Sequence, residues 1–474
     1  MDVSSKRFKI VYWSLLSAYV LLLLAINLRM YLPWFDEVFF SSISSGIIHN
    51  GMLHPTISMD PGETVLTYGP TGFYAQAFFF RIFGEGFFIG RAVNLFFGLS
   101  LFGLLFHWIR QNAQQYFAYL FLVLVLLDSS VLSMLLVGRL DYVGVFLFAL
   151  GLYVFTKNRN NLYIILSGIL IALSFLSSPR LGAFIIALAG LFLIELISKK
   201  EKPGNLFLQY LKLLIVIMAP IFTWIWMEFG GIKGYVELYT SNQIVMEHVG
   251  GIGIPKFYQL FLLACMAGLF VYAKIKKAPI HNLSVVFFIL VVLHMILNKK
   301  PEPYSAMMMP FLYFGILLQL NDLNFIRFKY ISHFAALYML PFLLLISLKI
   351  ALTFNNFPER NAAAYKQVIA DNPMLSGKKR VLCSYKYYYM LKSLGANPAA
   401  FDHNYTYKRI NGKSLAGFDY LLLDKQSLKN LKKISDVDAY DITPLKLESK
   451  IVSLPSQMEQ YSFDYNGWIL TKKQ

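Results

Sequence analysis

The sequence predicts an all-α polytopic membrane protein of about 11–12 membrane helices, with a small α/β domain at its C-terminus. Three observations predict this class. Apolar runs of about 16–22 residues recur from Val11 to Leu348, the length a helix needs to cross roughly 30 Å of hydrocarbon. The chain is 57% hydrophobic and only 15% charged over 474 residues, too little charge to cover a soluble protein of that size. From about residue 351 the long apolar runs stop, and Lys, Asn and Asp become common. So many spans also exclude a secreted protein with a cleaved signal.

The net charge of +17 raises the question of nucleic acid. The basic residues answer it, because they form short clusters between apolar runs, as the positive-inside rule requires. No nucleic-acid partner is expected. Cys265 lies in an apolar run and Cys383 in the polar tail, so the two make neither a disulfide framework nor a metal site.

Taken in order, helical spans are expected at 10–30, 70–84, 88–109, 117–136, 141–156, 162–178, 181–197, 209–227, 257–273, 282–298, 303–320 and 331–350. Lys6, Arg7 and Lys9 place the N-terminus in the cytoplasm. The first loop, 31–69, then lies outside. It has no Lys or Arg but carries Asp36, Glu37, Asp60 and Glu63. Four later clusters also want the cytoplasm: Lys157/Arg159, Lys199/Lys200/Lys202, Lys274/Lys276/Lys277 and Arg327/Lys329. Working back from them puts Asp141, Arg180, the loop 299–302 and the tail outside. Strict alternation from the N-terminus gives the opposite parity. One segment between 70 and 136 therefore does not cross fully. The expectation falls on 117–136, which Asp128-Ser129-Ser130 interrupts.

Two domains follow: a membrane unit over 1–350, with interfacial helices in 31–69, and a tail over 351–474. In the tail, 379–383 and 418–423 read as strands and 385–394 and 425–433 as helices, a β-α-β-α order. No Gly-rich phosphate loop accompanies them.

The acidic pair Asp36-Glu37 is the leading chemical candidate. Adjacent carboxylates on a helix point about 100° apart, so one can face a cavity while the other caps or pairs. Trp34 and Phe35 screen the pair from water, which suits a general base acting on an acceptor hydroxyl. The same pair also fits the start of an interfacial helix over 37–48. Tyr68-Gly69-Pro70 through Tyr74 brings backbone and hydroxyl groups together, or forms an interfacial aromatic belt. Arg139 and Asp141 at a span end are functional, or simply pair with each other. Lys299, Lys300 and Tyr304 form a basic outer loop against the usual trend, and Arg180 is a similar outer cation. Cations there suggest an anionic partner such as a lipid phosphate. His49, His54 and Glu63 are weak candidates for a divalent cation, since their spacing matches no ligand pattern. No cofactor is certain. The tyrosine run 385–389 reads as a packing face.

These pieces in this order resemble the GT-C superfamily of polyprenyl-phosphate-sugar-dependent glycosyltransferases. The branch is the bacterial one of protein mannosyltransferase-like and aminoarabinose transferase-like enzymes. Asp36-Glu37, Tyr68-Gly69-Pro70 through Tyr74, Phe83-Gly84 with Arg91, Gly138-Arg139-Leu140-Asp141, and Lys300-Pro301 through Tyr304 with Pro310 carry the likeness, over about 1–350. It implies an inverting transfer of a hexosyl or pentosyl group from a polyprenyl-phosphate-linked donor. The acceptor is a lipid, glycan or protein hydroxyl outside a bacterial cytoplasmic membrane. Asp36 becomes the base with Glu37 its neighbour, Asp141 lines the cavity, and Arg180, Lys299 and Lys300 hold the donor phosphate. The chain departs from the family where many members carry Lys-Pro-Pro. Here Tyr68-Gly69-Pro70 stands, and Leu176-Ser177-Ser178-Pro179-Arg180 occupies a place where relatives often have lysine and proline.

Two other classes compete. A lipid or sugar flippase or transporter predicts internal repeats and mid-membrane charge; no repeat is visible, and the charges lie at span ends. A non-catalytic envelope assembly subunit predicts scattered charges. The transferase predicts that Asp36, Asp141 and the outer lysines converge on one cavity.

Overall fold

In the computed structural model the described residues are 6–29, 35–51, 53, 68–178, 181–198, 202–237, 239–240, 257–297, 301–323, 337–344, 346–347, 362–372, 375, 377, 379–401, 415, 417–432, 439–445 and 467–473. The membrane unit begins with α1 (Lys6–Arg29), α2 (Phe35–Asn50), α3 (Pro70–Phe83) and α4 (Phe87–Asn112). It continues through α5 (Gln115–Leu127), α6 (Ser129–Leu135), α7 (Asp141–Lys157), α8 (Asn161–Phe175), α9 (Gly182–Ser198) and α10 (Pro203–Phe229). α11 (Phe257–Ile275), α12 (Asn282–Leu297) and α13 (Pro301–Leu323) follow, and within the expected span 331–350 the described residues 337–344 and 346–347 are helical. Local chemistry sets several starts. Proline opens α3 and α10, where its missing N–H costs nothing. Asn160 caps α8 by accepting from Tyr163 N at 3.0 Å.

All of these helices but α2 and α3 share one apolar core, in which Phe148, Phe184, Phe287, Phe311 and Met307 are fully buried or nearly so. Phe207, Ile215, Trp226 and Met227 of α10 are exposed, as lipid-facing positions must be. Four described helices are long and apolar enough to cross a bilayer, and α5 with α6 makes a fifth if that bent pair is one span.

The expected span at 117–136 is broken where the sequence indicated. α5 and α6 meet at Asp128 with a bend of 70°. Asp128 is fully buried and caps α6, accepting from Ser130 N at 2.8 Å and Val131 N at 3.2 Å. Tyr313 OH donates to its second oxygen at 2.7 Å, and Tyr258 OH to its first at 3.1 Å. The carboxylate thus ties the break to α11 and α13. Replacing Asp128 by Ala removes the cap and the carboxylate that accepts from two tyrosine hydroxyls, leaving them only Ser130 Oγ and Tyr338 OH. We expect a loss of about 2–4 kcal/mol, read as a lower thermal midpoint in detergent, with Asp128→Asn milder.

Despite the bend, the pair runs from one end of the bundle to the other. Gln114, just before α5, donates to Asn321 Oδ1 at 3.1 Å, at the end of α13. Gly138, just after α6, donates to Glu37 at the opposite end of the bundle. α4 makes the same journey in reverse, from Arg91 beside Glu37 to Asn112. α3, by contrast, does not run the length of the bundle. Thr71 N in its first turn donates to Leu176 O at 3.2 Å, and Gly72 lies against Leu140 and Ser177. Beyond its last residue, Glu85 meets Ser45 of α2. Both ends of α3 therefore lie at the Glu37 end, and the helix runs beside α2. Fourteen residues reach only about 21 Å. With α3 removed from the count, strict alternation brings Lys157, Lys202 and Lys274 to the end opposite Glu37, and the parity conflict disappears.

The tail contains α14 (Ala362–Ala370), β1 (Arg380–Ser384), a 3₁₀ turn (Tyr385–Tyr387), α15 (Tyr388–Ser393) and β2 (Asn397–Phe401). β3 (Tyr420–Leu423), α16 (Lys425–Leu431), β4 (Tyr440–Leu445) and β5 (Gly467–Lys472) follow. The sheet order is β2-β1-β3-β5-β4, with β1 parallel to both β2 and β3 and β5 antiparallel to its neighbours. Period-two alternation splits its residues. Leu382, Leu421, Leu423 and Leu470 face α16, while Val381, Cys383, Leu422 and Ile469 face α15. The second face also takes in Val38 of α2, so the tail sits directly on that helix. Pro398 hid β2 from the sequence reading; its missing N–H is tolerated because β2 is an edge strand.

Candidate active site

α2 carries both members of the acidic pair in its first turn, where the helix dipole favours negative charge. Their surroundings separate them completely. Glu37 is 1% exposed. Its Oε1 accepts from Arg91 Nε at 2.6 Å and from Gly138 N at 2.6 Å, and its Oε2 from Arg91 Nη2 at 2.7 Å. Arg91 is buried as well. This two-pronged pair welds α2 to α4 and to the segment after α6. Gly138 permits the approach, since a Cβ there would stand 3.2 Å from Glu37 Oε1 and 3.3 Å from Arg91 N.

Asp36 points elsewhere. Its Oδ2 accepts from Arg139 Nη1 at 2.8 Å, and Arg139 Nε donates to Asp141 Oδ2 at 2.7 Å. The side chains of Arg139 and Asp141 are each 2% exposed, whereas that of Asp36 is 32% exposed. One guanidinium thus bridges two carboxylates, and of the three groups Asp36 reaches the surface. The Phe40 ring lies under the bridge, 5.9 Å from the guanidinium carbon. Tyr68 stacks edge-on to Phe40 at 5.2 Å, and Phe73 does so at 5.7 Å.

The Gly69-Pro70 turn brings Tyr68 there. A Cβ on Gly69 would meet Leu176 O at 2.2 Å, so only glycine allows the chain past the end of α8. Ser177 Oγ donates to Leu140 O at 3.3 Å, which draws the 176–178 turn against the residue preceding Asp141. Thr71 Oγ1 and Ser178 Oγ are buried beside this junction with no partner among the described residues. Tyr74 does not join the group; it is 52% exposed and faces away from the Phe40 cluster.

The structure therefore gathers Asp36, Arg139, Asp141, Tyr68 and, one layer beneath, Glu37. Arg180, Lys299, Lys300, His54 and Glu63 lie outside the described residues, as does the side chain of Tyr304 on α13. His49 pairs with Glu85, and no group of three metal-ligating side chains occurs among the described residues.

Two functional-looking features escaped the sequence reading. Arg91 was noted without its partner. Glu85, between Gly84 and Gly86, was not noted at all. Its Oε2 accepts from Ser45 and from Lys392 Nζ, the latter at 3.1 Å, and its other oxygen meets His49. Burial alone would raise the Glu85 carboxyl, but Ser45, the Lys392 ammonium and His49 outweigh it and hold it below the ordinary 4.5. A depressed carboxyl contributes stability that is fully present above its ordinary value and lost as pH falls through the lowered one. We expect tail docking to hold at neutral pH and to weaken only on acidification below about pH 4.5. Protease accessibility of the tail against pH measures it, and Glu85→Gln removes that step.

No protein-family model and no curated protein sequence matches the chain. Solved structures do. ArnT from Cupriavidus metallidurans bound to undecaprenyl phosphate superposes with a TM-score of 0.55 at 14% identity, over 97% of each chain. Its apo state gives 0.55 at 12% identity, over 98% of each chain. The Archaeoglobus fulgidus oligosaccharyltransferase tethered to an acceptor peptide gives 0.50 at 15% identity, over 90% of this chain and 70% of that one. At these identities the likeness establishes the fold: a GT-C-like helical bundle with a C-terminal α/β domain.

Proposed function

We propose that this chain is a membrane glycosyltransferase. It moves a sugar from a polyprenyl-phosphate donor to a hydroxyl of a lipid, glycan or protein acceptor, on the outer face of a cytoplasmic membrane. The observation that carries the proposal is the Asp36–Arg139–Asp141 bridge, in which the two inner members are sealed and Asp36 alone meets solvent. The fold of ArnT, which holds undecaprenyl phosphate, supports the donor class. The oligosaccharyltransferase tethered to an acceptor peptide supports a fold that can serve a hydroxyl- or amide-bearing acceptor.

The chemistry follows. Asp36 takes the proton of the acceptor hydroxyl. The acceptor oxygen bonds to the anomeric carbon, the carbon–oxygen bond to phosphate breaks, and polyprenyl phosphate departs with the electron pair. A single displacement inverts the anomeric centre. Arg139, fixed by Asp141, aims Asp36. Tyr68 and Phe40 wall the site. Arg180, Lys299, Lys300 and Tyr304 are assigned to the departing phosphate. A divalent cation does not fit Asp36, Glu37 and Asp141 as they stand, since Arg139 already bridges the first and third and Arg91 closes the second. The test is lipid analysis of a deletion strain. Accumulated polyprenyl-phosphate sugar with an under-glycosylated envelope product supports the reading, and an unchanged lipid profile opposes it.

A further inference from the structure

α2 is gripped from two sides. On the bundle side stand the Glu37–Arg91 pair and a buried seam in which Ser44 Oγ donates to Gln76 Oε1 at 2.6 Å. On the other side stands the tail. Val38, next to Glu37, is fully buried in the tail's own core with Tyr387, Tyr388 and Leu391. Two helical turns further on, Lys392 Nζ donates to Ser45 Oγ at 2.9 Å and to Glu85 Oε2 at 3.1 Å. Ser45 donates to the same carboxylate oxygen, closing a triangle. Gly84, at φ +91, ends α3 and turns Glu85 toward it. Three segments far apart in sequence thus meet at one point on α2.

We propose that the tail is a positioning element for Asp36, with Lys392 fixing the far end of the helix whose first turn presents that carboxylate. The proposal rests on the transferase reading. A helix of 16 residues behaves as a short rigid rod. Holding it near Val38 and again at Ser45 removes its freedom to swing. Lys392 touches no reacting group, and its side chain is 33% exposed against 22% for Glu85. A pair so open to solvent contributes at most about 1 kcal/mol to stability. A displacement of about 1 Å at a reacting carboxylate, by contrast, lowers turnover by up to about 100-fold. The clamp's effect is therefore expected in turnover rather than in folding.

The experiment uses the full chain in nanodiscs, with a polyprenyl-phosphate sugar as donor. Wild type, Lys392→Met, Lys392→Arg and Glu85→Gln are compared by amide hydrogen exchange over 35–50 and by steady-state transfer. We expect Lys392→Met to raise exchange in the second half of α2 and to lower kcat about tenfold, with KM for the donor unchanged. Glu85→Gln behaves alike, and Lys392→Arg restores both readouts. Wild-type transfer matched by Lys392→Met overturns this proposal alone, whether or not exchange rises. A wild type that transfers no sugar overturns the transferase reading and the role of Asp36 with it.

Discussion

Asp36→Asn is expected to lose transfer by about 10²–10⁴-fold in kcat while folding as the wild type does. The substitution keeps the volume and the oxygen that accepts from Arg139 Nη1 at 2.8 Å. It removes the basicity that takes the acceptor proton. Asp36 is the exposed member of its bridge, so the buried ion pairs beneath it survive. Thermal midpoint and elution profile in detergent are the controls for folding. A variant that folds and transfers normally removes the role assigned to this carboxylate.

Glu37→Gln gives the opposite pattern: a large loss of stability. The amide retains one acceptor, yet its NH₂ is placed against Arg91 or Gly138, both of which donate. Arg91, 2% exposed, becomes a buried charge without its counter-ion. Breaking such a pair from one side costs about 3–5 kcal/mol, more than any surface substitution nearby. The measurement is a denaturation midpoint in detergent, with Arg91→Met as the reciprocal variant. The double variant is expected to recover part of the loss, because neither charge is then stranded. The two variants are thus expected to separate neighbouring carboxylates, Asp36 by its effect on turnover and Glu37 by its effect on the joint of three segments.

Sequence alone showed the bundle, because spans are encoded locally in apolar runs. It also showed the break at Asp128, because an acid and two serines cannot continue a lipid-facing helix. It could not show the course of α3. Phe78, Phe79 and Phe80 read as membrane-crossing, and only the positions of Leu176 and Ser45 reveal that the helix runs beside α2. The acidic pair stood out by composition, but the partners that divide its labour did not. Glu37 meets Arg91 54 positions away, and Asp36 meets Arg139 103 positions away. Nothing local marks such pairings. The same holds for Lys392 and Glu85, 307 positions apart. Their charges look like ordinary solvated residues until the tail is seen resting on α2.

The most direct measurement places the purified chain in liposomes with a sugar-labelled polyprenyl phosphate and follows the label. Wild type is expected to release free polyprenyl phosphate in step with a glycosylated acceptor, and Asp36→Asn to release it about 10²–10⁴-fold more slowly. Labelled lipid carried across the bilayer with its sugar–phosphate bond intact, equally well by both proteins, would contradict the transferase reading.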